Sequence, residues 1–313
     1  MINIYMSVSK KVGDNYKIVR SIGKGAFGTV YLTHANDGNY YASKVELRQE
    51  SSRLIDEYKI YRLLNKRGFK SGQGLPYIYS LIQTPKFNMM VMELLGSSLE
   101  SLFTKSNKRF SLETVLLLAI NIITLLERLH NAGFIHRDIK PANFLVGHGK
   151  NCDKLYLTDF GLSKQYIKNG KHIEYNTKRN LIGTLRYASV NMHMGIEPSR
   201  RDDLESVGYM LIYFLKGGLP WQGLKKKRGD DQVELIGNVK LCTSIDKLCE
   251  GLHENFKKYI RICRNLKFEE RPDYDLLRDC FTEIAEELRI PLRYQWVPTS
   301  MRDMDNDFYD EIN

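Results

Sequence analysis

Residues 136–143 read His-Arg-Asp-Ile-Lys-Pro-Ala-Asn, and this stretch carries the side chains best suited to chemistry. Asp138 is a carboxylate that can accept a hydrogen bond from a hydroxyl group and orient it for in-line attack on a phosphoryl group. Lys140 can neutralise charge on that group, and Asn143 offers a neutral oxygen to a magnesium ion. The triplet Asp159-Phe160-Gly161 follows, and its carboxylate is the hard anionic ligand that Mg²⁺ prefers. The spacing therefore predicts a phosphoryl-transfer centre that uses Mg²⁺.

Each of these residues also has an ordinary structural interpretation. A lone histidine is usually a core residue, and we expect His136 mainly to hold the backbone of its loop. Arg137, beside Asp138, is expected to bind an anion or a backbone carbonyl. Asp138, Asn143 and Asp159 are all common in turns. Their occurrence in this order, behind a phosphate-binding loop and a lysine, makes coincidence a poor explanation.

A glycine cluster precedes this region, because residues 23–28 read GKGAFG. The G-x-G-x-x-G pattern is shared by dinucleotide-binding folds, but there the loop runs directly into a helix. Here residues 29–34 alternate like a strand, a tight-turn signal follows at 36–38, and residues 40–47 return as a second strand. The sequence therefore predicts a β-hairpin whose glycines let backbone amides close over phosphates.

The returning strand carries a lysine in a position to reach the nucleotide. Ala42 is small enough to lie against a flat adenine ring, as is Val30 across the hairpin. Lys44 is a point charge that can contact the α- and β-phosphates. A single lysine on a strand is usually solvated, but one that follows a phosphate loop favours a functional interpretation.

Lys44 needs an anion to orient it, and a helix predicted over Ser51–Lys66 supplies a candidate. Glu57 falls on the apolar face of that helix, so we expect it to point inward and pair with the lysine. Glu46 and Glu50 are closer in sequence but less well placed on the helix.

The predicted secondary structure of the chain changes near Gly96. Residues 1–95 are rich in strand signals, ending with a buried strand over Phe87–Leu94. Beyond Gly96 the chain becomes mainly helical, with a helix capped by Ser111 that runs to Asn131. A capping-box pattern at Ser199 predicts the start of another helix, which runs to about Lys216. These patterns predict an α+β protein with two lobes.

Composition restricts the class of protein further. The chain has 313 residues, a formal net charge of +10 and a pI of about 9.2, so its surface should attract anions. Its five cysteines lack the spacing of a zinc or redox motif, which favours reduced thiols in the cytoplasm or nucleus. The longest apolar run, 115–126, is too short to span a membrane. Nucleic acid is not an expected partner, since no aromatic-basic strand or groove-binding helix motif is found.

The ordered set GKGAFG, YASK, HRDIKPANF and DFG resembles the eukaryotic protein kinase superfamily over about residues 16–285. Within it, the stretch at 183–214, GTLRYASVNMHMGIEPSRRDDLESVGYMLIYF, is similar to the casein kinase 1 group, as are LPWQGLK at 219–225 and FEERPDY at 268–274. Most kinases have Ala-Pro-Glu where this chain has Ser189-Val190-Asn191, and Ser-Ile-Asn is typical of that group.

The resemblance implies a bilobal kinase fold with ATP and Mg²⁺ in the cleft between the lobes. It divides the chain into an N-terminal extension (1–15), an N-lobe (16–95), a C-lobe (96–290) and a short acidic tail (291–313).

The resemblance also implies roles for individual residues. Met92 matches the gatekeeper, and Glu93 and Leu95 match the hinge residues that present backbone to adenine. Thr184 matches the threonine that contacts the catalytic aspartate and lysine, and Asp203 the aspartate that holds the catalytic loop. The residues expected at the nucleotide are Ile22, Gly23, Lys24, Gly25, Ala26, Phe27, Gly28, Val30, Ala42, Lys44, Glu57, Met92, Glu93 and Leu95. The expected catalytic residues are Asp138, Lys140 and Thr184, and the expected metal ligands are Asn143 and Asp159.

Kinases of this group prefer serine or threonine near an acidic or phosphorylated residue on its N-terminal side. Arg186 matches one residue of the basic site that explains this preference, and Lys178 and Arg179 are candidate neighbours. The resemblance therefore implies acidic or phospho-primed protein substrates, a monomer, and activity without phosphorylation of the activation loop.

The chain departs from the group at a few positions. Leu185 replaces a small residue, the basic run Lys225–Arg228 comes early, and Gln232 stands where an anion-site lysine is usual. These positions bear on substrate preference and on nuclear targeting, not on the phosphoryl-transfer residues. The alternatives are a catalytically weak kinase-fold scaffold and a member of the related vaccinia-related kinase group, although SRRDDLES and LPWQGL favour casein kinase 1.

Overall fold

The computed structural model describes residues 11–12, 15–25, 28–225 and 231–297 of the chain. Two of the expected nucleotide contacts, Ala26 and Phe27, lie outside the described residues. The same holds for most of the basic run that begins at Lys225 and for the acidic stretch at 302–311.

Two compact units make up the described chain. The first contains the chain up to Gly96 together with Tyr156–Gly161. The second contains Ser97–Leu155 and the chain from Leu162 onward. The chain passes from the first unit to the second after Gly96.

The first unit is built on an antiparallel sheet with the strand order β1-β2-β3-β4-β6-β5. Its strands are β1 (Lys11–Val12), β2 (Tyr16–Gly25), β3 (Gly28–Ala35), β4 (Tyr40–Leu47), β5 (Ile78–Gln83) and β6 (Phe87–Met92). One face of the sheet buries an apolar cluster formed by Ile18, Tyr31, Val45, Met89 and Val91.

The predicted hairpin is present, and β4 has the predicted bounds. Strand β6 ends at Met92 instead of Leu94, and the next N–H, that of Glu93, donates to the carbonyl of Tyr77 at 2.8 Å. Strand β5 has no counterpart among the predicted elements. It lies at the edge of the sheet and its residues are at most half-buried, so the sequence alternates too weakly to reveal it.

The helix of the first unit, α1, spans Arg53–Lys66 and begins two residues after the predicted start. Ser52 is its N-cap and accepts the N–H of Ile55 at 3.2 Å. Glu46 accepts the N–H of Arg53 at 3.0 Å. A carboxylate at a helix N-terminus is favourable, so Glu46 stabilises the start of α1.

The second unit is mainly helical. Its helices are α2 (Leu99–Lys105), α3 (Leu112–Asn131), α4 (Val190–His193), α5 (Arg200–Lys216), α6 (Gln232–Cys242), α7 (Ile245–Leu248), α8 (Glu254–Asn265) and α9 (Tyr274–Glu287). Helix α3 packs against α5 and α9, and α5 also packs against α8. In the described part of the chain, no helix combines the length and apolar character needed to cross a bilayer.

The two long helices, α3 and α5, have the capping residues that their sequences predict. Ser111 caps α3 by accepting the N–H of Thr114, and Asp202 accepts the N–H of Ser199 at 2.7 Å at the start of α5. Helix α5 ends at Gly217 in the left-handed conformation. A sheet-based first unit and a helical second unit confirm the α+β class.

Short segments connect these helices. The strands are β7 (Phe134–Ile135), β8 (Phe144–Val146), β9 (Leu155–Leu157), β10 (Lys164–Gln165), β11 (Ile167–Lys168) and β12 (Lys171–His172), and the 3₁₀ segments are Pro141–Asn143, Gly149–Asn151 and Phe160–Leu162. Strand β7 pairs with β10, which brings the segment before the loop 136–143 beside the segment after Gly161.

Candidate active site

The first unit holds Lys44 between two carboxylates. Its Nζ lies 2.7 Å from Oε2 of Glu57 and 2.8 Å from Oδ1 of Asp159. Strand β4 supplies the lysine and α1 supplies the glutamate, whose side chain is only 2% exposed. The structure thus selects Glu57 over Glu46, which is engaged at the start of α1.

Burial and charge act in opposite directions on this lysine. Burial disfavours the ammonium form of Lys44. The negative charges of Glu57 and Asp159 favour that form more strongly and raise the pKa of Lys44 above its ordinary value. Lys44 is therefore a fixed positive charge at neutral pH. Such a charge suits a phosphate ligand.

The glycines of the cluster lie at the end of β2 and at the start of β3. Gly23 pairs with Val30, and Val30 pairs with Lys44 on the other side, so the cluster and the lysine belong to one part of the sheet. A Cβ built on Gly28 would lie 2.3 Å from the carbonyl oxygen of Val45. Only glycine permits this close approach of β3 to β4. Ile22, Lys24 and Gly25 are exposed, as residues that cover a ligand require.

The residues expected around adenine lie on β4 and β6. Ala42 pairs with Met92, and both are buried. Glu93 and Leu95 follow in the non-strand segment after β6. Since the N–H of Glu93 donates to Tyr77, any contact of Glu93 with a base would use its carbonyl oxygen.

In the second unit, three side chains meet at the carboxylate of Asp138. Thr184 Oγ1 donates to Oδ1 at 2.8 Å, and Lys140 Nζ donates to Oδ2 at 2.5 Å. Asn143 Nδ2 lies 3.5 Å from Oδ2 and donates to the main-chain carbonyl of Asp138 at 2.8 Å. All four residues were predicted, and the structure brings them together around one buried carboxylate.

Asp203, near the start of α5, holds the backbone of this loop. Its two carboxylate oxygens accept the N–H groups of His136 at 2.7 Å and Arg137 at 2.8 Å. His130 Nε2 lies 3.0 Å from the same carboxylate. Burial alone would raise the pKa of Asp203, but these hydrogen bonds lower it, so Asp203 stays ionised. These contacts agree with the role expected for Asp203, which is to hold the backbone of the loop.

Two residues of the site adopt left-handed backbone conformations that non-glycine residues rarely take. Arg137 has φ of 69° and Asp159 has φ of 64°. Each conformation costs roughly 1–3 kcal/mol and persists only where surrounding contacts impose it. At Arg137 these contacts are Asp203 and a bond from its Nε to the carbonyl of Leu162 at 2.7 Å.

Gly183 lies against the candidate site and was not among the predicted site residues. A Cβ built there would lie 2.4 Å from the carbonyl oxygen of Arg137 and 3.2 Å from Oδ1 of Asp138. Its φ of 82° also favours glycine. The absence of a side chain lets Thr184 approach Asp138, so the signal was available in the Gly-Thr pair.

Asn143 and Asp159 fit the requirements of a magnesium ion by their chemistry. Asp159 offers a carboxylate, and Asn143 offers an amide oxygen, because its nitrogen is committed to the carbonyl of Asp138. Among the described residues, no group of three or more His, Cys, Asp or Glu could hold a metal ion alone. Phosphate oxygens and water are the other ligands that Mg²⁺ usually takes in phosphoryl-transfer enzymes.

The three basic residues expected to bind an acidic substrate have different surroundings. Arg179 Nε lies 2.6 Å from Oε2 of Glu197, a buried carboxylate. The Arg186 guanidinium lies over the ring of Tyr213 at 5.3 Å. Lys178 is exposed.

The protein kinase domain family matches residues 16–282 of this chain. Because the match covers most of the chain and coincides with the two units and the site residues described above, the chain belongs to the protein kinase domain family. The sheet-based unit is the N-lobe and the helical unit the C-lobe of the bilobal α+β kinase fold. Protein kinases act on protein substrates and use ATP and a divalent metal ion.

Proposed function

We propose that this chain is a serine/threonine kinase of the casein kinase 1 group, which uses ATP and Mg²⁺ to phosphorylate acidic or phospho-primed proteins. The observation that carries the proposal is the meeting of Thr184 and Lys140 on the Asp138 carboxylate. The cysteine composition supports a cytoplasmic or nuclear enzyme, and we take it to act as a monomer.

Residues of the N-lobe handle the nucleotide in this proposal. Lys44 supplies fixed positive charge to the α- and β-phosphates, and Glu57 holds it in place at 2.7 Å. Asp159 would offer a carboxylate oxygen to the metal ion, and Asn143, a residue of the C-lobe, would offer an amide oxygen. When bound, Mg²⁺ neutralises charge on the phosphate oxygens.

Residues of the C-lobe handle the acceptor hydroxyl. Asp138 accepts a hydrogen bond from the serine or threonine hydroxyl and takes its proton as the oxygen attacks the γ-phosphorus. The bond from that phosphorus to the β,γ-bridging oxygen breaks, and ADP leaves. Lys140 and Thr184 fix both carboxylate oxygens, so the carboxylate has one orientation. Lys140 also places positive charge beside the transferring phosphoryl group.

The choice of serine or threonine is supported by the residue types at these positions. A lysine two residues after the catalytic aspartate, together with a threonine after Gly183, is the arrangement that the resemblance associates with serine/threonine kinases. Both side chains reach Asp138 in this chain.

The casein kinase 1 assignment rests on the stretch 183–214, which contains Ser189-Val190-Asn191. Ser189 caps α4 and donates to Asp202 at 2.6 Å, and Asn191 Nδ2 lies 3.3 Å from the same carboxylate oxygen. The polar residues that replace Ala-Pro-Glu thus share one buried partner on α5. This supports treating the whole stretch as one family-specific feature.

The test is transfer of label from γ-labelled ATP with Mg²⁺. Casein and three acidic peptides that differ only in a serine, threonine or tyrosine acceptor would be compared, each with and without an upstream phosphoserine. We expect label on serine and threonine, and faster transfer to primed peptides. Transfer to tyrosine at an equal rate would contradict the serine/threonine assignment. No transfer by folded protein would favour a kinase-fold scaffold.

Arg186→Glu tests the preference for acidic substrates. The half-buried guanidinium offers charge-assisted bonds to a phosphate, and reversal of its sign replaces attraction with repulsion. We expect kcat/KM for a primed peptide to fall roughly 10- to 100-fold, with about threefold change or less for the unprimed peptide.

The matched control for that experiment is Lys154→Glu, which makes the same change in charge at an exposed position of the same lobe. It should leave both peptides unaffected. Equal losses for primed and unprimed peptides in Arg186→Glu would remove Arg186 from substrate selection.

A further inference from the structure

Lys240 is a fully buried lysine that the phosphoryl-transfer chemistry does not use. It lies on α6, and its side chain is among the largest that the protein buries completely. Burial of an ammonium is costly unless its three donors are satisfied. The sequence gives no signal for it, because a lone lysine on a helix is usually solvated.

The hydrogen bonds of Lys240 go to main-chain carbonyls of one short segment. Its Nζ donates to the carbonyl of Leu185 at 2.7 Å and to the carbonyl of Ala188 at 2.6 Å. It also lies 5.2 Å from the ring centre of Tyr209 and 5.0 Å from that of Trp221. Burial lowers the pKa of Lys240 to about 7, which Glu205 partly opposes.

The segment that Lys240 holds is a single turn next to the catalytic carboxylate. The N–H groups of Tyr187 and Ala188 both donate to the carbonyl of Thr184, at 3.0 and 3.1 Å. Thr184 in turn donates to Asp138. We call residues 184–188 the acceptor turn.

A second donor holds the acceptor turn from the same side. Trp221 Nε1 donates to the carbonyl of Arg186 at 2.7 Å. The carbonyls of Leu185, Arg186 and Ala188 are therefore all bonded by side chains from later in the chain. The position of the turn is set by α6 and Trp221 as well as by its own sequence.

We propose that Lys240 is a positioning residue for the protein substrate, which acts by fixing the acceptor turn. The turn carries Thr184, which touches Asp138, and Arg186, the candidate contact for substrate acid groups. If the ammonium is lost, the carbonyls of Leu185 and Ala188 lose this donor, the turn is held less tightly, and the alignment of the acceptor hydroxyl becomes less exact. This inference rests on the proposed kinase activity and adds a residue distant in sequence from every kinase motif.

The test replaces Lys240 with methionine, which keeps an unbranched side chain of similar length without charge. We expect kcat/KM for the peptide to fall roughly 10- to 100-fold, as for loss of charge-assisted bonds that align a reacting group. KM for ATP should stay within about twofold. Lys247→Met, at an exposed position on α7, is the control and should behave as wild type.

A second measurement is independent of activity. Hydrogen exchange followed by mass spectrometry should show faster exchange of the acceptor turn in Lys240→Met. The turn loses the donor that holds its Leu185 and Ala188 carbonyls, so it opens more often and exposes the Tyr187 and Ala188 amides. Exchange in α3 should not change. If wild-type protein transfers no phosphate, the proposed function fails, while this exchange experiment still tests the role of Lys240.

Several outcomes would overturn the inference. Unchanged exchange of the acceptor turn would show that Lys240 does not hold it. An equal loss in ATP and peptide parameters, or exchange that increases throughout the C-lobe, would indicate only a structural role. Should Lys240→Met not fold, Lys240→Gln carries the same test, because its neutral amide is too short to bridge both carbonyls. The proposal would also be rejected if Lys240→Gln had the same peptide kinetics and the same hydrogen exchange as the wild-type protein.

Discussion

Replacement of Asp138 by asparagine is expected to lower the turnover number by roughly 10²- to 10⁴-fold, the usual contribution of a positioned general base. The amide cannot take the proton of the acceptor hydroxyl. Its NH₂ group must also face a donor, either Thr184 or Lys140, where the carboxylate accepts at 2.8 and 2.5 Å. The measurement is steady-state phosphate transfer from labelled ATP to an acidic serine peptide.

Nucleotide binding should be nearly unchanged in this variant, because Lys44 and its two carboxylate partners are intact. Asp279→Asn makes the same substitution at an exposed position of α9 and serves as the control. A loss of ATP affinity as large as the loss of turnover would show that Asp138 acts on the nucleotide and not on the acceptor.

Replacement of Lys44 by methionine should reduce turnover roughly 10²- to 10³-fold, the scale of removing one preorganised charge from a transition state. The substitution also leaves Glu57 buried without its partner. Removal of one member of a buried ion pair costs about 3–5 kcal/mol unless the remaining group takes up a proton. Burial already raises the pKa of Glu57, with Lys44 opposing it, so protonation limits this cost.

Phosphate transfer and thermal unfolding would be measured together for Lys44→Met. The control is Lys59→Met on α1, where the lysine pairs with Asp56 at 2.8 Å but is 64% exposed. That surface pair contributes about 0–1 kcal/mol and should not affect turnover. Turnover of folded Lys44→Met close to that of wild type would remove Lys44 from phosphate binding.

The kinase class was predictable from the sequence because its signals are local. The order of GKGAFG, Lys44, Asp138, Asn143 and Asp159 requires no tertiary information. The long elements were also predictable, since α3 and α5 carry both an apolar face and capping residues. Helix ends and turns depend on hydrogen bonds between near neighbours, which a sequence specifies directly.

Elements with weak local signals were not predictable. Strand β5 is an edge strand with an exposed Tyr79, so its hydrophobic alternation is weak. Helix α1 starts at Arg53 and not at the predicted Ser51, with Ser52 as its N-cap and with Glu46, from the preceding strand, accepting the N–H of Arg53. A contact made by a residue on another element does not appear in a local pattern.

The sequence by itself determined the two-lobed α+β class and predicted the candidate phosphoryl-transfer residues, because those residues lie in short motifs with fixed spacing. Only the tertiary structure showed the contacts that no motif predicts. It placed Asp159 beside Lys44 as a second carboxylate, engaged Glu46 at the start of α1, and buried Lys240 against the acceptor turn. These contacts join residues far apart in the chain, and such pairing depends on packing, which no local pattern encodes.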